Sequence, residues 1–364
     1  MSGACNHPHE WAAEPLVSIT VLNWNGEHFL RQCLESLWPD RCPHVEVAVI
    51  DNGSTDRSVP MVREEFPGVP VITLPGNLGV AGGRNASVPY LRGRFIVFLD
   101  NDVTVERGWL PPLINLMMQD MRIGIATPKV LLRRLPGRVQ GVGGYFKLWT
   151  GNRELGFGQP DDDYRSGQII EPFFAFGAAL VVRRRLLEYL GGFDEQMFPT
   201  GAEDLDLAWR IRLSGYRVVC LTDSVVYHHL SGTRGIFGHR SIALNVYHVL
   251  RTMVKCLSWP NLLHCVPAYM SFSITMGTVL SILFKDPRFF GGVFWALGRF
   301  ASSMPELRRT RTVTQRFRVM PDREVLRSVG SGLSETPTEL WRKFGVMREI
   351  ERRMTELSRT PGSL

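Results

Sequence analysis

Two aspartates, Asp100 and Asp102, follow a short apolar segment at a spacing that suits metal-ion chemistry. Residues 95–99 (FIVFL) are aromatic or aliphatic throughout, which predicts a buried strand of a parallel sheet. Because alternate side chains of a strand point to the same face, we expect the two carboxylates side by side at the edge where open α/β sheets bind their ligands. Paired carboxylate oxygens favour Mg²⁺ or Mn²⁺ carrying a diphosphate, and a polar turn is the alternative interpretation.

A second group of acids, Glu203, Asp204 and Asp206, opens a predicted helix. The partial positive charge at a helix N-terminus keeps a carboxylate ionised, and such a carboxylate can remove the proton of an attacking hydroxyl. Consecutive acids at a helix start are also common capping residues, so the pattern alone leaves the role of each acid open. His228 and His229 follow a short predicted strand and provide further candidate ligands.

Strands and helices alternate along the part of the chain that must position these residues. Strands are predicted at residues 17–22, 45–50, 69–74, 95–99 and 173–182. Helical patterns lie between them, which indicates a parallel, doubly wound α/β sheet. Residues 128–172 have no clear period, and we expect loops over the sheet there. Neither the glycine-rich loop of NTPases nor that of dinucleotide-binding proteins occurs, which argues against both classes.

The composition is that of a folded protein with excess positive charge. Of the 364 residues, 44% are hydrophobic and 21% are charged, and the net charge of +7 favours a polyanionic partner such as a nucleotide or an anionic lipid. Eight arginines face only three acids in residues 299–327, but few aromatic residues accompany them, so nucleic-acid binding is not expected. Cysteines without paired spacing and a start without a signal peptide predict a cytoplasmic protein.

Six motifs follow one another in a fixed order within residues 16–235. They are VSITVLNWNG from Val17, DNGSTD from Asp51, NLGVAGGRN from Asn77, FLDNDV from Phe98, GGFDE from Gly191 and EDLDL from Glu203. Together they resemble the family 2 glycosyltransferases, especially the bacterial branch that includes rhamnosyltransferases of cell-wall and O-antigen assembly. The resemblance implies the GT-A fold, a nucleotide-diphosphate-sugar donor, a divalent metal ion and inversion at the anomeric carbon.

The resemblance also implies roles for the residues that match the motifs. The donor-binding residues are expected to be Leu22, Trp24, Asp51, Gly82, Gly83, Arg84, Asn85 and Asp100. In this set an aspartate binds the base, a tryptophan stacks on it, and the glycines and the arginine approach the diphosphate; helix capping, a core tryptophan and a plain glycine-rich turn are the alternatives. The metal ligands are expected to be Asp100, Asp102 and His228. The catalytic residues are expected to be Asp204, as general base, and Glu203.

The chain after residue 235 is predicted to associate with a membrane. Residues 256–284 contain no Asp, Glu, Lys or Arg, a length that suits a helix in the membrane interface or across the bilayer. An apolar stripe beside a hydroxyl stripe, with Pro260 and Pro267 as breaks, favours the interface. The apolar stripe consists of Phe272, Met276, Val279, Leu280 and Leu283, and the hydroxyl stripe of Ser271, Thr275 and Thr278. A helix buried in protein is the alternative.

Four regions are therefore predicted. They are a disordered N-terminus at residues 1–15, a GT-A catalytic domain at 16–235, a hydrophobic and then Arg-rich membrane-associating region at 236–330, and an amphipathic helix at 331–364. We expect an inverting, metal-dependent transferase that moves a rhamnosyl or similar sugar to a hydroxyl of a cell-envelope glycan or lipid-linked acceptor. It would act at the inner face of the plasma membrane, where it would bind the anionic membrane surface peripherally. A non-catalytic nucleotide-sugar or glycan-binding scaffold of the same fold is the alternative.

Overall fold

The structure, a computed structural model, describes residues 16–37, 44–230 and 238–327, together with residues 345, 349 and 352. The strands are β1 Val17–Asn23, β2 Val45–Asp51, β3 Val71–Thr73, β4 Phe95–Asp100, β5 Val103–Val105, β6 Ile123–Leu132, β7 Val139–Gly141, β8 Gly144–Lys147, β9 Gly151–Glu154, β10 Ile169–Ile170, β11 Ala179–Arg183 and β12 Arg217–His228. The helices are α1 Glu27–Leu37, α2 Ser58–Glu65, α3 Gly79–Ser87, α4 Leu110–Gln119, α5 Arg184–Tyr189, α6 Glu203–Leu213, α7 His239–Cys256, α8 Trp259–Leu283, α9 Arg288–Ser302, α10 Met304–Arg316 and α11 Asp322–Val325. The segment predicted at residues 1–15, and that at 331–364 apart from three residues, lie outside this description.

One ten-stranded sheet forms the centre of the molecule, and its main path runs β10-β12-β6-β11-β4-β1-β2-β3. Strands β1 to β4 pair in parallel, as the sequence predicts. Strand β11 is shorter than predicted and antiparallel to both β4 and β6. Parallel neighbours need a crossover connection, usually a helix, and residues 133–178 contain no α-helix, so the chain re-enters the sheet in the opposite direction. The second half of the sheet is therefore mixed.

Residues 128–172 contain more regular structure than the sequence predicts. Strand β6 extends to Leu132 and is buried along its whole length. A separate two-stranded hairpin, β8–β9, follows it. The expectation of loops over the sheet was wrong here, because Pro128 and Lys129 interrupt the apolar pattern within β6 and the hairpin is too short to show a period. This hairpin contacts α8, since a Cβ added at Gly151 would lie 2.8 Å from the ring of Tyr269.

Both faces of the sheet are covered by helices, which explains the uninterrupted apolar run in β4. Ile96 and Phe98 belong to the hydrophobic cluster that α5, α6 and α7 share. Phe95, Val97 and Leu99 belong to the cluster on the opposite face, with α1, α2 and α4. Alternate residues of one strand thus enter two cores, and the polar residues begin only where β4 reaches the sheet edge.

A buried ion cluster joins the helices after residue 238 to the sheet-containing part of the chain. The Nζ atom of Lys255 on α7 lies 2.6 Å from Asp194 Oδ2 and 2.5 Å from Asp206 Oδ1. Arg251, one turn earlier, contacts Asp194 at 3.1 Å and Glu306 of α10 at 2.8 Å. Lys255, Arg251 and Asp206 are all buried, so each charge depends on its partners for solvation. This cluster crosses the boundary predicted at residue 235.

Helix α8 is the one described helix that is long and apolar enough to cross a membrane, and only 17% of its most apolar window is buried. Pro260 falls in the first turn of α8 and Pro267 lies inside it. The helix continues through both prolines, so the predicted breaks do not occur. The buried stripe of α8 includes the small residues Ser273 and Gly277, and a Cβ at Gly277 would lie 2.8 Å from Val293 of α9. The small residues let α8 approach α9 closely, so this stripe is the side of α8 that packs on the protein. The predicted apolar stripe lies beside it and is half-buried to exposed, and the predicted hydroxyl stripe is exposed.

Candidate active site

The three predicted metal ligands lie together at one edge of the sheet. Asp100 ends β4, Asp102 follows it, and the antiparallel pairing of β5 with β12 places His228 opposite Val103. One ligand atom from each of Asp100, Asp102 and His228 lies within 4.8 Å of the other two. The His228 Nε2 atom is 3.0 Å from Asp102 Oδ1. Two carboxylates and one imidazole are a donor set that suits Mn²⁺ or Mg²⁺.

Two neighbours fix the orientation and charge of this group. The His228 Nδ1 atom lies 2.8 Å from Gln140 Oε1, which orients the ring with Nε2 toward Asp102. Burial opposes a charged imidazole, yet the carboxylate of Asp102 raises the pKa of His228 above its usual value. Burial likewise raises the pKa of Asp100, against the opposing charge of Arg84. Gln140 could not be found from the sequence, because it lies in the region where no motif is recognisable.

His229 does not face the acids. Its ring packs on Phe29, with the ring centres 5.4 Å apart, and its backbone N–H donates to the carbonyl of Asp102 at 3.0 Å. Burial lowers the pKa of His229 to about 4. Consecutive strand residues point to opposite faces, so only one of the two histidines can contact the carboxylates, and that residue is His228.

The acids at the start of α6 have three different environments. Asp204 is partly exposed, and its Oδ2 accepts the Gly177 N–H at 3.0 Å. Glu203 is buried, and its Oε2 accepts the Gly201 N–H at 2.6 Å. Asp206 is fully buried and pairs with Arg210 at 2.8 Å as well as with α7. Of the three residues, only Asp204 is not fully buried, and its Oδ1 accepts the Leu205 N–H at 2.7 Å.

The ionisation of Asp204 differs from the sequence-based expectation. Burial and the neighbouring Glu203 raise the pKa of Asp204 to about 7. The helix N-terminus, expected to keep the carboxylate charged, is outweighed by the loss of solvent and by a second acid. A carboxyl group with a pKa near neutrality is suited to accept and release a proton at physiological pH.

The predicted base-binding residues lie along β1 and β2. Trp24 follows β1 and is 43% exposed, which excludes the alternative of a core tryptophan. Asp51 ends β2 and is buried; its Oδ2 accepts the Ser54 N–H at 3.1 Å, so it stabilises its own turn. Leu22 is half-buried, at the strand end beside them. The donor-binding roles of these residues stay predictions.

The glycine-rich segment is placed differently from the prediction. Gly82 and Gly83 lie inside α3, not before it, and a Cβ at Gly83 would be 2.5 Å from Leu22 Cδ1, so this glycine permits close contact between helix and strand. The Asn85 side chain donates to the carbonyl of Phe193 at 2.9 Å and accepts the N–H of the same residue at 2.8 Å. The glycine and the asparagine thus make contacts within the protein: one packs α3 on β1, and the other binds the backbone of Phe193.

Arg84, which the sequence predicts to contact a diphosphate, is directed toward the interior of the protein. Its side chain is 2% exposed, and Nη2 donates to Asp100 Oδ1 at 2.8 Å. The apolar neighbours of α3 turn this side chain inward, where it meets the rings of Phe98 and Phe193. The motif identifies the position of the residue, but the direction of its side chain depends on contacts that are distant in sequence.

Comparisons with known proteins agree with this architecture. The family model described as "Glycosyl transferase family 2" matches residues 18–138, and that described as "Glycosyl transferase family group 2" matches residues 95–284, more than half of the chain. O-antigen biosynthesis protein RfbC of Myxococcus xanthus is 29% identical over 235 residues, which cover 60% of this chain and 18% of that protein. Pre-mycofactocin glycosyltransferase of Mycobacterium tuberculosis (strain CDC 1551 / Oshkosh) is 26% identical over 278 residues, 73% of this chain and 55% of that protein. The chain thus spans about half or less of these relatives.

A solved structure supports the fold independently. The crystal structure of GalNAc-T7 with UDP, GalNAc and Mn²⁺ superimposes with a TM-score of 0.56 at 16% identity, over 80% of this chain and 57% of that one. At this identity the likeness shows the fold alone. It confirms the predicted GT-A architecture.

The raised pKa of Asp204 generates a test by stability. The folded state binds this proton more tightly than the unfolded chain, whose aspartate titrates near 3.8, so ionisation lowers stability as the pH rises towards 7. We expect the stability of Asp204→Asn relative to the wild type to increase between about pH 5 and about pH 8 in urea titrations. Asparagine has one acceptor oxygen where aspartate has two, so Asp204→Asn also loses a hydrogen bond. That loss is the same at both pH values and does not affect the comparison between them. The control Asp206→Asn, on the same helix, should destabilise the protein at both pH values. If the stability difference between Asp204→Asn and the wild type does not change with pH, the raised pKa of Asp204 is contradicted.

Proposed function

The chain belongs to the family 2 glycosyltransferases, and we propose that it is a metal-dependent, inverting member of that family. The donor would be a nucleotide-diphosphate sugar, and the acceptor a hydroxyl of a cell-envelope glycan or lipid-linked intermediate, with rhamnosyl or a similar sugar transferred. The observation that carries the proposal is the group of Asp100, Asp102 and His228 at the same sheet edge as Asp204. A non-catalytic scaffold would have no need for a partly exposed carboxyl group with a raised pKa beside such a group.

The residues present fit a divalent ion. Asp102 Oδ1 and His228 Nε2 face each other at 3.0 Å, and Asp100 adds a third ligand atom. Three protein ligands leave positions for the oxygens of a diphosphate, which is how Mg²⁺ and Mn²⁺ are commonly completed in nucleotide sites. GalNAc-T7, with the same fold, was solved with UDP and Mn²⁺. When bound, such an ion supplies positive charge that offsets the charge developing on the leaving diphosphate.

The remaining chemistry is assigned to the protein side chains. The acceptor oxygen attacks the anomeric carbon of the donor, the bond from that carbon to the diphosphate breaks, and the nucleoside diphosphate leaves with the bonding electron pair. Asp204 takes the proton of the acceptor hydroxyl as the new glycosidic bond forms. Glu203 keeps the turn before α6 in place through the Gly201 N–H and raises the pKa of its neighbour. A single displacement of this kind inverts the anomeric configuration.

Helices α8 and α9 supply the surface proposed to contact the inner face of the plasma membrane. Large apolar side chains at the end of α8 and along α9 are about half exposed or more: Ile282, Leu283, Phe284, Phe290, Phe294 and Trp295. On the exposed face of α8, the hydroxyls of Thr275 and Thr278 donate to main-chain carbonyls of the preceding turn at 3.0 and 2.9 Å, so these two hydroxyl hydrogens have acceptors within the helix.

Positive charge accompanies this apolar surface. Of the eight arginines at residues 299–327, Arg311 and Arg318 are used inside the protein, where they donate to main-chain carbonyls at the C-terminal end of α7, those of Leu257 and Cys256. The other six are exposed and available to anionic headgroups: Arg299, Arg308, Arg309, Arg316, Arg323 and Arg327. Exposed aromatic side chains beside exposed arginines are the chemistry of an interfacial membrane contact.

The metal site is tested by removing one ligand. Asp102→Ala should lose Mn²⁺-stimulated release of nucleotide from a nucleotide-sugar donor, and should lose Mn²⁺ binding in the presence of nucleotide, while its circular dichroism spectrum is unchanged. The control is Asp163→Ala, an exposed aspartate in the 161–163 turn. Full turnover in EDTA, or in Asp102→Ala, would contradict a role for the metal.

The base is tested by an isosteric change. Asp204→Asn should still bind nucleotide and Mn²⁺ but lose transfer by about 10²–10⁴-fold, since this is what a positioned base contributes. NMR of the wild-type product should show an anomeric configuration opposite to that of the donor. Loss of nucleotide binding in Asp204→Asn would instead make this residue a structural cap, and a retained configuration would rule out the single displacement.

Membrane contact is tested with vesicles. The protein should sediment with anionic phosphatidylglycerol vesicles but not with neutral phosphatidylcholine vesicles, and high salt or carbonate should release it if it lies in the interface. The double variant Phe290→Ser, Phe294→Ser should bind less, whereas Met121→Ser, which removes an exposed apolar side chain outside α8 and α9, should bind normally. Resistance to carbonate would indicate a spanning helix, and absence of binding at low salt would refute membrane contact.

A further inference from the structure

Arg84 stands between the two groups of acids in the site. Its Nη2 atom donates both to Asp100 Oδ1, at 2.8 Å, and to the main-chain carbonyl of Gly177, at 2.6 Å. The ring centres of Phe98 and Phe193 lie 5.9 and 5.4 Å from its Cζ, which stabilises the cation and closes it off from solvent. A fully buried arginine held in this way has one orientation, so it fixes the groups that it contacts.

The backbone of Gly177 connects this cation to Asp204. Its carbonyl accepts from Arg84, and its N–H donates to Asp204 Oδ2 at 3.0 Å. A Cβ added at Gly177 would lie 3.3 Å from Asp204 Oδ2 and 3.5 Å from Arg84 Nη1, so both groups closely surround this glycine. Within the described part of the chain, Nη1 and Nε of Arg84 have no hydrogen-bond acceptor. The positive charge on that side is therefore not already taken up by another hydrogen bond.

The electrostatics of the base agree with this arrangement. The charged groups that face Asp204 are Glu203 on its own helix and Arg84 on α3. Burial and Glu203 raise the pKa of Asp204, and the positive charge of Arg84 opposes that rise. Without the arginine, a larger fraction of Asp204 would be protonated at neutral pH and unable to accept a proton.

We propose that Arg84 is a positioning residue that holds Asp100 directly and Asp204 through the backbone of Gly177, and that it is not a ligand of the donor diphosphate. The proposal rests on the proposed function, because it takes Asp204 as the base and Asp100 as a metal ligand. One cation that holds both acids sets the distance between them. It thereby sets where the acceptor hydroxyl must lie relative to the donor carbon, a placement on which the rate of displacement depends.

The first experiment follows the titration of Asp204 directly and needs no substrate. The full chain is labelled with ¹³C at the aspartate Cγ, and the Asp204 signal is identified by its absence in Asp204→Asn. Arg84→Met should move its midpoint upward by roughly one to three pH units, as expected for loss of a nearby opposite charge, and Arg84→Lys should reverse part of this shift. Arg212→Lys is the control: Arg212 is also buried and donates to a main-chain carbonyl, that of Phe173, but contacts neither acid.

A second variant covers the case in which the Arg84 variants do not fold. Gly177→Ala leaves every charge in place but crowds Asp204 and Arg84. It should therefore weaken the hydrogen bond from the residue 177 N–H to the Asp204 carboxylate and also raise the midpoint of the Asp204 titration. An unmoved midpoint in Gly177→Ala and in whichever Arg84 variants fold would overturn the proposal.

The second experiment separates positioning from diphosphate binding. Affinity for UDP, GDP and dTDP is measured by calorimetry with Mn²⁺ present, using the wild type, Arg84→Lys and Gly177→Ala. Positioning predicts affinities within about threefold of the wild type, whereas loss of a charge-assisted phosphate contact would cost about tenfold or more and would overturn the proposal.

The two proposals can fail separately. If no nucleotide binds the wild type, the proposed function fails, while a shifted Asp204 titration still supports the link through Arg84. If Asp204→Asn abolishes transfer but no variant moves the titration, only the role of Arg84 fails.

Discussion

The structure depends most on the buried contact between Lys255 and two carboxylates, those of Asp194 and Asp206. Lys255 is fully removed from solvent, and an ammonium in that position requires partners at the distances observed, 2.6 and 2.5 Å. Asp206 is two residues from Asp204 on the same helix, so the ion pair that anchors α6 also determines where its first turn lies. The helices after residue 238 are in this sense part of the support of the site.

The acids near the site have different surroundings, which supports the separate roles proposed for them. Asp102 faces an imidazole, Asp100 faces a guanidinium, and Asp204 faces main-chain N–H groups beside another acid. The charge of Arg84 opposes the rise that burial causes in the pKa of Asp100, and Asp102 lies beside His228. Asp204 has its pKa raised to about 7, which suits proton transfer. The same type of side chain thus has different electrostatic surroundings at one edge of the sheet, as the proposed roles of metal ligand and base require.

The sequence predicts the features that depend on local pattern. The strands β1 to β4, the acids at the end of β4, and the start of α6 follow from apolar runs and helix signals, and they are found where predicted. Strand geometry also explains why only His228 faces Asp102. These features need no knowledge of distant contacts.

The features that the sequence does not predict involve residues far apart in the chain. Gln140 contacts His228 across 88 residues, and Arg84 reaches the carbonyl of Gly177 across 93. Whether a motif arginine points outward to a phosphate or inward to an acid depends on such contacts, not on spacing. The direction of β11 likewise depends on the absence of a crossover helix in residues 133–178.

The apolar surface of α8 and α9 is connected to the site by packing contacts and a buried ion pair. Helix α8 contacts the β8–β9 hairpin, through Gly151 with Tyr269 and through Arg153 with Phe272. The hairpin in turn is hydrogen-bonded through its backbone to residues 173–174, shortly before Gly177. Helix α7 connects the same helices to α6 through its buried lysine. Two independent sets of contacts therefore link the apolar surface to the elements that carry the acids. Under the proposed function, a surface linked in this way would hold the acids in a set orientation to the membrane, which a surface on a flexible tether would not do.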